Sequence, residues 1–214
     1  MPITSDREYR NMALTIQRDK EGEEQDERKI VRGYASTFNQ PYTLYEDDSW
    51  RLKEVVDARA FDNTDMSDVI MQYDHSGRVF ARTRNNTLTV HADEQGLLIE
   101  ADLGGTELGR QLFEEIEGGY TDRMSFGFTV DGDSYEDSKD LDGKALTVRT
   151  ITSVRKLYDV SAVSIPANDG TSISVRNLVD GEIERIQAER LEAEALELRR
   201  RKLLVKAKLN GGQK

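Results

Sequence analysis

Apolar and polar residues alternate at a period of two through much of this chain, and that pattern commits it to strands. Leu88, Val90 and Ala92 alternate with Thr87, Thr89 and His91. Glu94-Gln95-Gly96 supplies a turn, and Leu97, Ile99, Ala101 and Leu103 alternate on the return. Ile30–Phe38 reads as another strand, with Val31, Gly33, Ala35 and Thr37 on one face, and Asn39-Gln40-Pro41 breaks it. Asp68–Tyr73 is a strand that runs into the turn composition Asp74-His75-Ser76-Gly77. Asp122–Val130 sets bulky Met124, Phe126, Phe128 and Val130 against a small face of Ser125, Gly127 and Thr129. Ala145–Val154 and Lys156–Ile165 are strands, the last ending at Pro166-Ala167-Asn168-Asp169-Gly170. A shorter strand is expected at Ala13–Ile16.

One segment breaks this period. Leu108, Leu112 and Ile116 fall at helical spacing, Thr106 is placed to cap the helix, and Gly118-Gly119 stops it. Tyr42–Trp50, acidic and aromatic, reads as a loop. So does the acidic, turn-rich Asp131–Gly143, whose carboxylates lack the glycine and glutamate spacing of a calcium loop. The charge run Lys20–Lys29 reads as a solvated loop or hairpin tip. From Asp180 onward Ile183, Ile186, Arg190, Leu191, Ala195, Leu198 and Lys202 follow helical spacing among many Glu and Arg residues. The expected organisation is an N-terminal strand and charged loop over 1–29, a core over 30–179 and a charged helical extension over 180–214. Asp180–Lys208 is expected to be one long exposed helix.

The chain is acidic, with a formal net charge of −11, which disfavours nucleic-acid backbones and anionic membranes as partners. It has no cysteine, which excludes a thiolate nucleophile, a thiolate metal site and a disulfide scaffold. No apolar run approaches the ~20 residues of a membrane-spanning helix, and Met1–Lys20 lacks an apolar signal core. His75 and His91 are the only histidines, so any histidine base is one of these two and a three-histidine metal site is impossible.

His75 sits where a strand ends and a loop begins, and Ser125 lies on the small face of its strand. Asp159 is an acid inside the apolar strand Leu157–Val163, where burial is costly unless the carboxylate is paired. These residues can supply the nucleophile, base and orienting acid of serine hydrolysis. Spacing alone does not bring them together, and an exposed strand face would also explain Asp159. Ser125 is not in a Gly-x-Ser-x-Gly elbow, so a hydrolase of that type is excluded.

Four segments in order carry a resemblance: RGYASTFN (Arg32–Asn39), MQYDHSGRVFARTRNNTL (Met71–Leu88), RMSFGF (Arg123–Phe128) and YDVSAVSIPAN (Tyr158–Asn168). Together they resemble the phage prohead protease family over roughly Ile30–Arg176. The resemblance implies the fold of herpesvirus capsid-maturation proteases: mainly β with flanking helices, an antiparallel closed barrel. It implies His75 as general base and Ser125 as nucleophile. The family's third member is usually Glu before Val-Ser, and that position holds the shorter Asp159 here. His91 is the rival third member, since the herpesvirus relatives use a second histidine; an exposed strand histidine is the simpler account of it. Arg82 either supports the oxyanion region or is an ordinary surface arginine.

The implied activity is that of a serine endopeptidase, without metal or cofactor, processing scaffold and major capsid precursor proteins and cleaving itself. Its implied place is the immature capsid in the bacterial host cytoplasm, and a homo-oligomer stays open. The alternative is a non-enzymatic scaffolding or capsid-associated assembly protein with a decayed protease domain.

Overall fold

Strand β10 (Ala145–Val163) is the spine on which the other elements are organised. The computed structural model describes residues 7–12, 28–164, 188, 191–192 and 195–203. In chain order the elements before β10 are β1 (Glu8–Met12), β2 (Ile30–Thr37), β3 (Tyr42–Glu46), β4 (Trp50–Val56), β5 (Ile70–Tyr73), β6 (Ser76–Arg82), β7 (Leu88–Ala92), β8 (Gly96–Asp102), helix α1 (Glu107–Glu117) and β9 (Arg123–Lys139). Along one edge, β10 pairs antiparallel with β9 from Ala145↔Lys139 to Val163↔Arg123. Its other edge is shared: Ala145–Ile151 pairs parallel with β4, and Asp159–Ala162 pairs parallel with β5. The resulting sheet runs β1-β9-β10-β4-β3, with β5 and β6 branching from β10. A second sheet, β2-β8-β7, carries the expected hairpin.

Both sheets contribute to one core. Val31 and Ala35 from β2 and Leu97 and Ile99 from β8 meet Met71, Phe126, Phe128, Leu157 and Val160 from the larger sheet, and α1 adds Leu112 and Ile116. The helix forms as its sequence predicts: the Thr106 hydroxyl accepts from Gly109 N at 2.9 Å, and Gly119 beyond its end takes φ +74°. Asp93 closes the β7–β8 hairpin by accepting from the amides of Gln95 and Gly96. Glycine is required at 96, since a Cβ there would lie 2.0 Å from the Ser36 carbonyl oxygen.

Two expected loops are strands instead. Tyr42–Glu46 and Trp50–Val56 pair as a hairpin. The acidic stretch after Asp131 continues β9 to Lys139, and only Asp140–Gly143 turns. Its carboxylates have cross-strand partners on β10: Arg149 Nε donates to Asp133 Oδ2 at 2.8 Å, and the Thr147 hydroxyl to Asp137 Oδ1 at 2.6 Å. Such pairs support a strand that carries little apolar content.

The closed barrel is not formed. Closure requires every edge strand to find a ladder partner. Here β10 divides one edge between β4 and β5, the sheet branches, and no ladder among the described residues joins it to β2-β8-β7. No long C-terminal helix is present among the described residues either. Among the described residues past 164, helix occurs at 188, 191–192 and 195–203 only, and the rest of the expected span lies outside them. A stripe interrupted by charge gives such a segment little apolar surface to bury, and isolated helical segments gain most of their stability from burial. The strand expected at Ala13–Ile16 and the charge run Lys20–Lys29 fall outside the described residues except for Arg28 and Lys29. The chain divides into two units, Met1–Ser172 and Ile173–Lys214.

Strand β1 is held to the larger sheet by buried charges. Arg10 reaches Glu54 of β4 with two nitrogens, at 2.5 and 2.8 Å, and also bonds Glu8. Arg149 of β10 donates to Glu8 at 2.7 and 2.9 Å and to Glu54 at 2.9 Å. The Tyr42 hydroxyl also bonds Glu54. Glu54 is fully buried, so this pairing is what makes its charge tolerable there. Burial raises the Tyr42 hydroxyl well above its ordinary value, and Glu54 adds to the rise.

Candidate active site

The branch in the sheet places β10 between β9 and β5, and each neighbour delivers one chemically active side chain. On the β9 side Asp159 faces Gly127 and Ser161 faces Ser125. On the β5 side Asp159–Ala162 lies beside Ile70–Tyr73, and the chain then turns through Asp74 and His75 into β6. Tyr73 pairs with Ser76, so the turn has two central residues. Both take positive φ, 46° for Asp74 and 53° for His75, as a tight two-residue hairpin requires. Neither is glycine, so the turn is strained, at a cost on the order of 1 kcal/mol for each. Asp74 fastens it to the end of β10: its amide donates to the Ala162 carbonyl at 3.0 Å, and its carboxylate accepts from the Ser164 amide and hydroxyl, each at 3.1 Å.

The turn aims the His75 ring back over β10. Nδ1 lies 2.5 Å from Asp159 Oδ1, and Nε2 lies 2.5 Å from Ser125 Oγ. A carboxylate at Nδ1 keeps the proton on that nitrogen and leaves Nε2 free to accept from the serine hydroxyl. Asp159 is only 2% exposed and Ser125 is fully buried. The Ser161 hydroxyl donates to Asp159 Oδ1 at 3.0 Å, and the Arg7 guanidinium lies 4.0 Å from Oδ2. The Tyr9 ring packs edge-on to His75, with centroids 4.4 Å apart. The Ser125 hydroxyl also lies 2.8 Å from the Arg10 carbonyl oxygen.

The structure therefore brings His75, Ser125 and Asp159 together. It does not bring His91 to them: His91 is exposed on β7 in the other sheet, and both nitrogens of His75 are already engaged. Arg82 is committed elsewhere, gripping Asp68 through two 2.6 Å bonds. Three participants escaped the sequence reading. Ser161 stands two residues beyond Asp159 on the same strand face, a spacing that could have marked it. Gly127 was visible on the small face of β9, but its role was not: a Cβ there would lie 2.3 Å from Asp159 Oδ2. Tyr9 belongs to a strand that the alternation does not reveal. No group of three or more His, Asp or Glu side chains suited to a metal occurs among the described residues.

The arrangement has the parts of a serine hydrolase: a nucleophile, a base in contact with it, and a buried acid behind the base. A model of the caudovirus prohead serine protease family matches residues 15–186. The chain belongs to that family. It is thus a member of a serine peptidase family whose work is the phage prohead, acting on capsid precursors within the immature capsid in the host cell. The matched stretch includes the whole hydrogen-bonded set of His75, Ser125 and Asp159, whereas β1 precedes it. Neither a search of the curated proteins nor one of the solved structures returns a match. No helix among the described residues is long and apolar enough to cross a membrane.

Proposed function

We propose that this prohead protease is an active serine endopeptidase that cleaves scaffold and major capsid precursors, and itself, in the immature capsid in the bacterial cytoplasm. The observation that carries the reading is the unbroken chain of contacts from Asp159 through His75 to Ser125. In this mechanism Ser125 Oγ attacks the scissile carbonyl while its proton passes to His75 Nε2. Asp159 holds the ring in the required tautomer and stabilises the imidazolium that forms. His75 then returns the proton to the departing amine, leaving an acyl group on Ser125. Water repeats the cycle, giving its proton to Nε2 as it attacks the ester. Backbone amides stabilise the oxyanion. Asp159 is shorter than the glutamate usual at its position, and the closeness of the His75 turn to β10 makes up the reach.

The test compares the expressed chain, Ser125→Ala, Asp159→Asn and His91→Ala for shortening of themselves and of a co-expressed capsid precursor. Ser125→Ala should abolish cleavage. Asp159→Asn should reduce the rate by roughly 10⁴, as loss of the orienting acid does elsewhere, and His91→Ala should leave it unchanged. Continued cleavage by purified Ser125→Ala would overturn the assignment.

A further inference from the structure

Ser125 is fully buried, although a peptide must reach it, and β1 lies directly against it. This strand lies antiparallel along β9 in the register Glu8↔Phe128, Tyr9↔Gly127, Arg10↔Phe126, Asn11↔Ser125 and Met12↔Met124. Among the described residues it is the last strand at that end of the sheet, so without it β9 would present an unpaired edge beside the nucleophile. Unpaired edges bind extended peptides through main-chain hydrogen bonds. A substrate needs that same arrangement: an extended backbone with one carbonyl at the serine. β1 already supplies the carbonyl, since the Arg10 oxygen lies 2.8 Å from Ser125 Oγ.

We propose that the β9 edge from Met124 to Phe128 is the site for the substrate strand, and that β1 is its resident occupant, which an incoming peptide displaces. The inference rests on the protease reading above. Three further observations support it. Ser125 has one hydroxyl proton and two acceptors for it, His75 Nε2 at 2.5 Å and the Arg10 carbonyl at 2.8 Å, so β1 competes with the base for the proton to be transferred. The residues flanking Arg10 also bear on the site: Tyr9 lies against His75, and Arg7 near Asp159 also covers the Tyr158 ring at 3.7 Å. Among the described residues, departure of β1 also leaves no orphaned charge. It removes Glu8 and Arg10 together, and Glu54 and Arg149 remain paired with each other at 2.9 Å, with Asp133 still on Arg149. A buried charge that keeps its partner avoids the large penalty of a broken pair.

The experiment uses the full chain and a variant combining Glu8→Gln with Tyr9→Ala, which weakens one anchor of β1 and removes the ring over His75. Ser125 is titrated with a fluorophosphonate probe. The folded double variant should label at least about tenfold faster than the parent, because the fraction of chains with an open edge rises. A synthetic peptide of residues 7–12 should slow the variant again. Equal or slower labelling of the double variant overturns the occupancy and leaves the protease reading standing, since Ser125 then reacts with β1 in place. Labelling of Ser125 in neither chain overturns both. Should the double variant fail to fold, the unaltered chain decides: prolonged reaction with a peptidyl phosphonate should strip hydrogen-exchange protection from the amides of residues 8–12, and unchanged protection overturns the proposal.

Discussion

Gly127 lies where any side chain would strike the acid behind the base. A Cβ there meets Asp159 Oδ2 at 2.3 Å and the Tyr9 ring at 2.7 Å. Asp159 is buried in a strand and tied to Ser161 and His75, so it cannot step aside without releasing the imidazole. Gly127→Ala should therefore lower kcat/KM by roughly 100-fold, as misplacement of about 1 Å does. The check is peptide hydrolysis by the folded variant, together with Gly127→Ala/Tyr9→Ala, which relieves only the ring contact and should not restore activity. Activity near that of the parent in Gly127→Ala would show that the carboxylate has room to move. Residue chemistry was the most legible level of this protein. An acid in an apolar strand needs a partner, and the small face of β9 put Ser125 and Gly127 side by side. What residue types could not convey is that β5 and β9 flank the same strand, because that is a property of pairing and not of local pattern.

At the level of elements, β1 was invisible for a definable reason. Its inward positions include Glu8 and Arg10, and both find partners on β4 and β10, so the buried face is ionic and leaves no apolar alternation to read. The same logic hid the acidic half of β9, whose cross-strand partners are Arg149 and Thr147. An ionic anchor predicts acid sensitivity. Burial pushes the Glu8 carboxyl up, but Arg10 and Arg149 together outweigh it and hold the group at about 2, against an ordinary 4.5. A carboxyl depressed on folding contributes its stability in full above its unfolded value and loses it as pH falls through its folded value. The contribution of Glu8 should thus be complete above pH 4.5 and decline between 4.5 and about 2. Glu46, held low by Arg51 and Lys144, and Asp65, held low by Lys156, add to the total acid response. The informative quantity is therefore the difference between the parent and Glu8→Gln. Melting temperatures measured across that range should converge as pH falls, and a constant gap would show that Glu8 is not held by charge.

For the whole molecule, alternation located most strands of the core but not their closure. A barrel and a branched pair of sheets use strands of the same composition. The difference lies in β10 giving one edge in parallel to both β4 and β5, each reached by a crossover that no local pattern reports. The C-terminal charge pattern predicts one long helix for a related reason: spacing shows which residues could share a face, not whether that face has anything to bury against. The distribution of the core bears on what the C-terminal residues contribute. Among the described residues the buried cluster lies wholly between Val31 and Ala162, and the reactive set spans His75 to Asp159. The second unit begins at Ile173, beyond both. A chain ending at Ser172 should therefore fold cooperatively, melt within a few degrees of the parent and retain Ser125 reactivity toward a fluorophosphonate, since the buried cluster and the reactive set both belong to the first unit. Differential scanning calorimetry and labelling of the shortened chain provide the check. Loss of the folding transition on truncation would mean that residues after 172 complete the core, and the protease fold would then have to be drawn to include them.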